Sequence, residues 1–436
     1  MKIISRPPGG VNLKEPFLPG SGGSRNFRIP CLWAGENGRL FAAMDVRWDA
    51  EADGGGLAVA FARSDDGGES WETSFPGFFG DSGGRHDGSA ATLMDPQLTV
   101  SGDTVYLLCD LFPHGRALLQ GAGGADEKLS PGAGLDRNGD LLLRKRGEEE
   151  YRFHLSNGCI LDEKGRKVKE YEVGPFFSLR GEGEESNLFF RGAPFEAYPT
   201  SYLCLLVSRD GGRSFEEPRL LPGKHDEEAF LGTGPGRGLV TKRGEILFPV
   251  YNGGEAELLY SADGGKSFRR SPGVRGSESQ AVELPSGKVR LFLRNPSGFL
   301  SYADFVRRDG GFVPVNEIRT GYALASNCMA SAIAFAKEGK TKLALSAPSG
   351  EGLWTGRYGG RITLFDLDEN EELIPSLEIA VGKKEDFFAY SCLAALPGGK
   401  LGILYEDSCI RYMDKPQGAG ISRAVFRKIP LGEAKT

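Results

Sequence analysis

Ser64-Asp65-Asp66-Gly67-Gly68-Glu69-Ser70-Trp71 has two further copies, Ser208-Arg209-Asp210-Gly211-Gly212-Arg213-Ser214-Phe215 and Ser261-Ala262-Asp263-Gly264-Gly265-Lys266-Ser267-Phe268. Their shared form is S-x-D-x-G-x-S-(W/F). The Asp side chain can accept backbone N–H groups across a turn, and Gly permits positive φ. The closing aromatic can tuck beneath a hairpin. The last two copies begin at Ser208 and Ser261, about 53 residues apart, close to the length of one propeller blade. Repetition at that period points to radially arranged β-sheets.

Strand-like runs separated by Gly-rich turns fill the rest of the chain, and sustained helical periodicity is nearly absent. Gly56–Arg63, Thr104–Leu111, Glu245–Tyr251, Lys288–Arg294, Lys340–Ser346, Arg361–Leu367 and Lys400–Glu406 are examples. Degenerate turn copies are expected at Arg308-Asp309-Gly310-Gly311-Phe312 and Asp366–Asn370. The first two full copies are about 144 residues apart, which breaks the spacing. Between them, residues 121–186 are charged and locally repetitive, with strand-like pieces at Tyr151–Leu155 and Lys169–Val173. This stretch is expected to form a small inserted β-domain, with its charge runs as solvated surface. The remaining segments, 1–120 and 187–436, would form the main domain.

The 436 residues exceed what a simple single core supports, a limit that a ring of small cores avoids. Net charge is −6, which disfavours nucleic acid as the main partner. The 7 Cys show no C-x-x-C spacing, and several, such as Cys109 and Cys204, lie in apolar runs; they read as buried thiols. The 4 His, at positions 86, 114, 154 and 225, are scattered. A zinc site or a His-based nucleophile is not expected, nor is any metal or cofactor. No apolar run reaches membrane-spanning length. Met1–Gly10 lacks the apolar segment of a secretory leader. The expected location is cytoplasmic if Met1 is native, and secreted or cell-surface if a leader has been removed.

Several residues are candidates for chemistry. Arg28 lies in Asn26-Phe27-Arg28-Ile29-Pro30, Arg294 ends the run Val289–Leu293, and Arg357 sits in Thr355-Gly356-Arg357-Tyr358-Gly359-Gly360. Strand-end and loop arginines can converge on the mouth of a propeller, where the planar guanidinium fork binds carboxylates. Taken singly, each is an ordinary surface cation. Tyr390, in Phe387-Phe388-Ala389-Tyr390-Ser391, and Glu278, in Gly276-Ser277-Glu278-Ser279-Gln280, would singly be core or rim residues. Asp45, Asp49, Glu51 and Asp53 read as an acidic loop near Arg47, with one of them a candidate general acid.

The chain resembles the bacterial exo-sialidase (neuraminidase) family. The resemblance rests on F-R-I-P at Phe27–Pro30, the repeats, Glu278-Ser279-Gln280-Ala281-Val282-Glu283-Leu284, and Tyr390-Ser391 leading into Leu401–Glu406. The order matches from about residue 20 to about residue 426. The insertion, together with Phe230-Leu231-Gly232-Thr233-Gly234-Pro235-Gly236, resembles the subgroup that carries an inserted β-domain. The family's Ser-Ser or Asn-Ser after the nucleophile is Ser391-Cys392 here.

The resemblance implies an all-β, six-bladed β-propeller and a retaining exo-α-sialidase acting on sialylated glycans or glycoproteins, expected to be a monomer. It implies Tyr390 as nucleophile, Glu278 as its base and Asp53 as acid/base. Arg28, Arg294 and Arg357 would clamp the substrate carboxylate, with Arg361 as competitor for the third place. Glu406 would hold Arg28, and Arg47 and Asp95 would line the sugar pocket. A neutral tyrosine avoids the repulsion that a carboxylate nucleophile meets at an anomeric carbon bearing a carboxylate. Its ordinary pKa of about 10 demands a base and a positive field. Two other outcomes stay open. One is an intramolecular trans-sialidase that releases a 2,7-anhydro sugar, favoured if a bulky apolar side chain such as Trp48 or one from the insertion excludes water. The other is a propeller that binds sialylated glycan without cleaving it.

Overall fold

The computed structural model describes residues 15–48, 52–77, 89–118, 128–324, 326–410 and 421–431. Asp49, Glu51, His86 and the Met1–Gly10 segment lie outside them. No α-helix occurs among the described residues, and hence none long and apolar enough to cross a membrane. The described residues form eight sheets.

Six of the sheets follow one another along the chain. The first is Phe27–Ala34, Leu40–Val46, Ala58–Ser64 and Glu72–Gly77, antiparallel in sequence order. The second is built on Thr92–Ser101, Thr104–Phe112, Tyr202–Ser208 and Arg219–Leu221, with Gly236–Arg237 added in parallel at its innermost edge. The third centres on Ile246–Tyr251 and Glu255–Ser261. The fourth runs from Ser279–Glu283 to Ile318–Ala323, the fifth from Ser331–Lys337 to Leu373–Val381, and the sixth is Ser391–Leu396, Lys400–Ser408 and Arg423–Pro430.

Apolar alternation on the strands gives each pair of consecutive sheets a shared core. Phe61 and Leu107 join the first and second, Leu108 and Phe248 the second and third, Leu258 and Leu291 the third and fourth. Phe292 and Leu345 join the fourth and fifth, and Leu364 and Leu393 the fifth and sixth. Leu32 and Trp71 of the first sheet share a core with Leu404 and Phe426 of the sixth.

The three full repeats form one turn. Asp66 Oδ1 accepts the Glu69 and Ser70 N–H groups at 3.0 and 2.9 Å, and Asp210 and Asp263 repeat the pattern at the same distances. Hydrogen bonds from the Ser70, Ser214 and Ser267 hydroxyls are the main cause holding these three carboxyls below the usual range. The second glycine of each turn has positive φ and lies flat on an aromatic ring of the preceding sheet. A Cβ on Gly68 would come 2.5 Å from Phe426, one on Gly212 2.5 Å from Phe61, and one on Gly265 2.7 Å from Tyr106. The repeat is thus a device for docking one sheet on the next. The expected fourth copy at residues 308–312 is instead a two-residue hairpin turn, with Asp309 and Gly310 at φ 51° and 75°. At 366–370 it is Asp368 that accepts the Asn370 and Glu372 N–H groups, a different turn from the repeat.

Two small sheets lie in the chain between Thr104–Phe112 and Tyr202–Ser208. One pairs Leu141–Lys145 with Phe153–Ser156 and Phe195–Ala197; the other holds Tyr171–Val173, Ser178–Gly181 and Glu184–Asn187. Phe195–Ala197 thus pairs with this unit although it lies past residue 186. Phe195, Leu143 and Phe189 pack into the core of the first two sheets.

Candidate active site

Two backbone irregularities shape the mouth of the pocket. In Phe27-Arg28-Ile29-Pro30 and in Leu93-Met94-Asp95-Pro96, the residue before proline has positive φ, 57° at Ile29 and 52° at Asp95. Pairing registers shift at both places, between Arg28 and Cys31 and between Met94 and Gln97. A β-branched residue in this region is strained, and such strain concentrates at functional sites. Each bulge re-aims the residues ahead of it. Arg28 and Asp95 are thereby brought to one pocket with Arg47, Asp53, Glu278, Arg294, Arg357 and Tyr390.

Tyr390 stands at the centre. It precedes the first strand of the sixth sheet, and Glu278 precedes that of the fourth. The Tyr390 hydroxyl is 2.8 and 3.0 Å from the two Glu278 carboxylate oxygens. Arg294 Nη1 donates to the same hydroxyl at 2.7 Å and also pairs with Glu278. The guanidinium carbons of Arg28, Arg294 and Arg357 lie 5.9, 5.9 and 5.2 Å from the centre of the Tyr390 ring. Burial pushes the Tyr390 hydroxyl well above the usual phenol range, and Glu278 adds to this; Arg294 and Arg357 pull the other way. The phenol is therefore protonated at neutral pH, with its acceptor in place.

Arg28 is held by Glu406 through Nε–Oε1 and Nη2–Oε2 contacts of 3.1 and 3.3 Å. Glu406 Oε1 also accepts the Ile29 N–H at 3.0 Å, so one buried carboxylate fixes both the cation and the strained backbone. Arg361 does not reach the pocket. It bonds the Ala323 carbonyl at 2.7 Å, approaches Glu378 at 3.5 Å and lies over Tyr322.

Arg47 is fully buried and bridges two carboxylates, Asp45 at 2.7 Å and Asp53 at 2.6 Å. Asp45 is not a member of a solvated loop. It lies on Leu40–Val46, is wholly buried, and its other oxygen accepts the Asp95 N–H at 2.8 Å. Asp53 is partly exposed at the pocket wall. Burial raises the Asp95 carboxyl well above the usual range, and nearby Asp45 reinforces the shift.

Sequence reasoning missed four features here. Asp110 is a buried carboxyl in the same pocket, with Oδ1 accepting the Thr233 N–H at 2.8 Å and Oδ2 facing no polar partner. Burial raises its pKa strongly. Thr233 also bonds the Asp95 carbonyl at 2.5 Å, so the Phe230–Gly236 motif buttresses both acids. Met94, Phe112, Phe230 and Tyr251 form an apolar wall beside them. Trp354, half exposed, stands at the rim with its ring 5.7 Å from the Arg294 guanidinium. Trp48, the expected cover, is instead buried in the core with Phe17 and Phe27. No His/Cys/Asp/Glu group suited to a metal ion occurs among the described residues.

No family model matches the chain. It is 28% identical to the anhydrosialidase of Macrobdella decora over 88% of this chain and 58% of that protein. It is 26% identical to sialidase B of Streptococcus pneumoniae over 87% of this chain and 61% of that protein. The chain therefore spans about three-fifths of the length of the curated relatives it matches. Among solved structures, the intramolecular trans-sialidase of Ruminococcus gnavus, in complex with oseltamivir carboxylate, superposes with a TM-score of 0.79 at 23% identity, covering 94% of this chain and 95% of that one. Over nearly nine-tenths of its length, the chain is a homologue of the sialidases.

Proposed function

We propose that this chain cleaves terminal sialic acid from glycans through a tyrosyl intermediate, on a six-bladed propeller carrying an inserted β-unit that extends to residue 197. The carrying observation is the Tyr390 hydroxyl, hydrogen-bonded to both Glu278 oxygens among three guanidinium groups. Shared cores between consecutive sheets, and between the first and the sixth, support the ring.

In this reading Arg28, Arg294 and Arg357 grip the substrate carboxylate. Glu278 takes the phenol proton as the Tyr390 oxygen attacks the anomeric carbon. Asp53 gives a proton to the departing glycosidic oxygen, then takes one from the second nucleophile. Two inversions at one carbon give net retention. A tyrosine nucleophile is a recognised departure from the two-carboxylate scheme of glycosidases. The ion pair with Arg47 holds Asp53 at the pocket wall.

A second reading concerns the product. Trp354 presents a half-exposed indole at the rim, beside one arginine of the clamp. An apolar plane there would keep water from the tyrosyl intermediate and leave the sugar's own 7-hydroxyl as the nucleophile. The relatives named anhydrosialidase and intramolecular trans-sialidase add weight to this branch.

Incubation with 3′-sialyllactose and mass spectrometry of the released sugar tests both readings. The expected result is release of lactose, with the sugar lighter than free sialic acid by one water if transfer is intramolecular. Trp354→Ala should then shift the product toward free sialic acid. Tight binding without release, across several sialyl linkages, would instead make the chain a glycan-binding propeller.

A further inference from the structure

Arg237 is an arginine without a carboxylate partner among the described residues. It lies on the short strand added in parallel to the innermost strand of the second sheet, directly after the Phe230–Gly236 motif. Pro235, Gly236 and the Arg237 backbone are pinned by neighbours. Gln280 Nε2 donates to the Pro235 and Arg237 carbonyls at 2.8 and 3.3 Å, and the Gly238 N–H donates to Leu98 at 3.0 Å. The side chain points away from this frame. Its guanidinium lies 4.4 Å over the Trp33 ring, Nη1 makes one long contact of 3.4 Å to the Leu393 carbonyl, and Nε is buried with no partner. Desolvation lowers its pKa.

These neighbours fix which end of the ring Arg237 occupies. Arg28, Glu278 and Tyr390 stand at the starts of the inner strands of the first, fourth and sixth sheets. Trp33, Ala281 and Leu393 lie further along the same strands. Arg237 therefore sits on the far side of the inner strands from Tyr390. There it lines a cavity of about 270 Å³ between the inner strands of the fourth and fifth sheets. The lining mixes polar and apolar groups; Leu239, Ala334 and Ala336 supply accessible apolar side chains, and Lys242 stands at the edge. Glu283 also borders the cavity, but its carboxylate accepts the Lys242 N–H at 2.7 Å and faces Arg307 at 3.6 Å.

A guanidinium partly shielded from water, stacked on an aromatic ring and left short of protein acceptors gains from an anion that completes it. We infer that this cavity is a second anion site, which takes a small monocarboxylate with an apolar body, its carboxylate on the Arg237 fork and its hydrocarbon part against Leu239, Ala334 and Ala336. The planar fork matches a carboxylate in two-point geometry. Glu283 at the border weighs against a dianion such as phosphate.

The test uses the whole chain labelled with 5-fluorotryptophan and followed by fluorine NMR, with isobutyrate as probe. A saturating sialic acid analogue occupies the Tyr390 pocket, so that its arginines cannot account for the signal. Isobutyrate should shift the Trp33 resonance saturably, while isobutanol, which has a similar body and no charge, should not. The resonance is assigned with Trp33→Phe. Arg237→Gln should weaken the response at least tenfold while sialoside cleavage persists, and Arg237→Lys should retain part of it. Ala336→Trp, which fills the cavity and leaves Arg237 in place, should also abolish it, and provides the test if Arg237→Gln fails to fold. Equal responses to isobutyrate and isobutanol, an unchanged response in Ala336→Trp, or no Trp33 shift at all would overturn the inference.

Discussion

The Tyr390 hydroxyl lies 2.8 and 3.0 Å from the two oxygens of Glu278, a residue 112 positions earlier in the chain. Both are buried, and the hydroxyl also receives a hydrogen bond from Arg294. Tyr390→Phe removes the oxygen proposed to attack and keeps the ring beneath the three arginines. Turnover of 3′-sialyllactose should fall at least about a thousandfold, with a melting temperature near that of the parent. A variant that keeps parental turnover would remove Tyr390 from the chemistry.

Glu406 holds Arg28 and the Ile29 N–H, and the proposed chemistry does not use it. Glu406→Gln removes the charge that pairs with Arg28, and with it the acceptor best suited to the Ile29 N–H. Breaking one half of a buried pair costs about 3–5 kcal/mol. Urea unfolding should show a loss of that order, and kcat/KM should fall with it. Unchanged stability would mean that water replaces the carboxylate at Arg28.

Arg357 and Arg361 differ by four positions and have separate surroundings. Arg357→Lys keeps the charge and loses the fork beside Tyr390, so an unsaturated sialic acid analogue should bind about ten- to a hundredfold more weakly. Arg361→Lys, on the exposed pair with Glu378, should bind it almost normally. Calorimetry on both variants decides; the reverse pattern would exchange their roles.

His114 gives a pH dependence of stability. It is buried in the turn Pro113–Gly115, and burial, followed by Arg116, pulls its pKa down to about 3. The unfolded chain binds a proton at this side chain below about 6.5 and the folded chain does not. The stabilisation is thus complete above pH 6.5 and is lost as pH falls toward 3, at up to about 1.4 kcal/mol per unit. His114→Asn suits the φ of 61° and removes the titration. Urea midpoints at pH 7.5, 6 and 5 should fall less steeply for the variant, and parallel slopes would refute the assignment.

The fold was legible because its repeats are local. An Asp carboxylate, two glycines and a Ser hydroxyl within eight residues make the same turn wherever they occur. Arg28 and Tyr390 were legible through short motifs at strand starts, Arg294 at a strand end and Arg357 in a Gly-rich loop. Residues whose state depends on a distant strand were harder to read. Asp45 resembled a loop acid because nothing in its own segment shows that Arg47 and the Asp95 N–H meet it in the interior. Trp48 looked suited to cover the pocket, yet it fills a core with Phe17 and Phe27, and the indole at the rim is that of Trp354, on a loop more than 300 residues away. Asp110 sits in an ordinary strand, and only the Thr233 N–H of another sheet marks it as part of the site.

The core shared by the first and sixth sheets has a consequence for biogenesis. Leu32 and Trp71 are made more than 300 residues before Leu404 and Phe426, which cover them. Until then the first sheet exposes an apolar face and Arg28 lacks Glu406. The pocket therefore cannot mature before the sixth sheet is made. Contacts of such long sequence separation also make the final step slow, and during that interval the unfinished molecule is inactive and adhesive, a natural client for a chaperone.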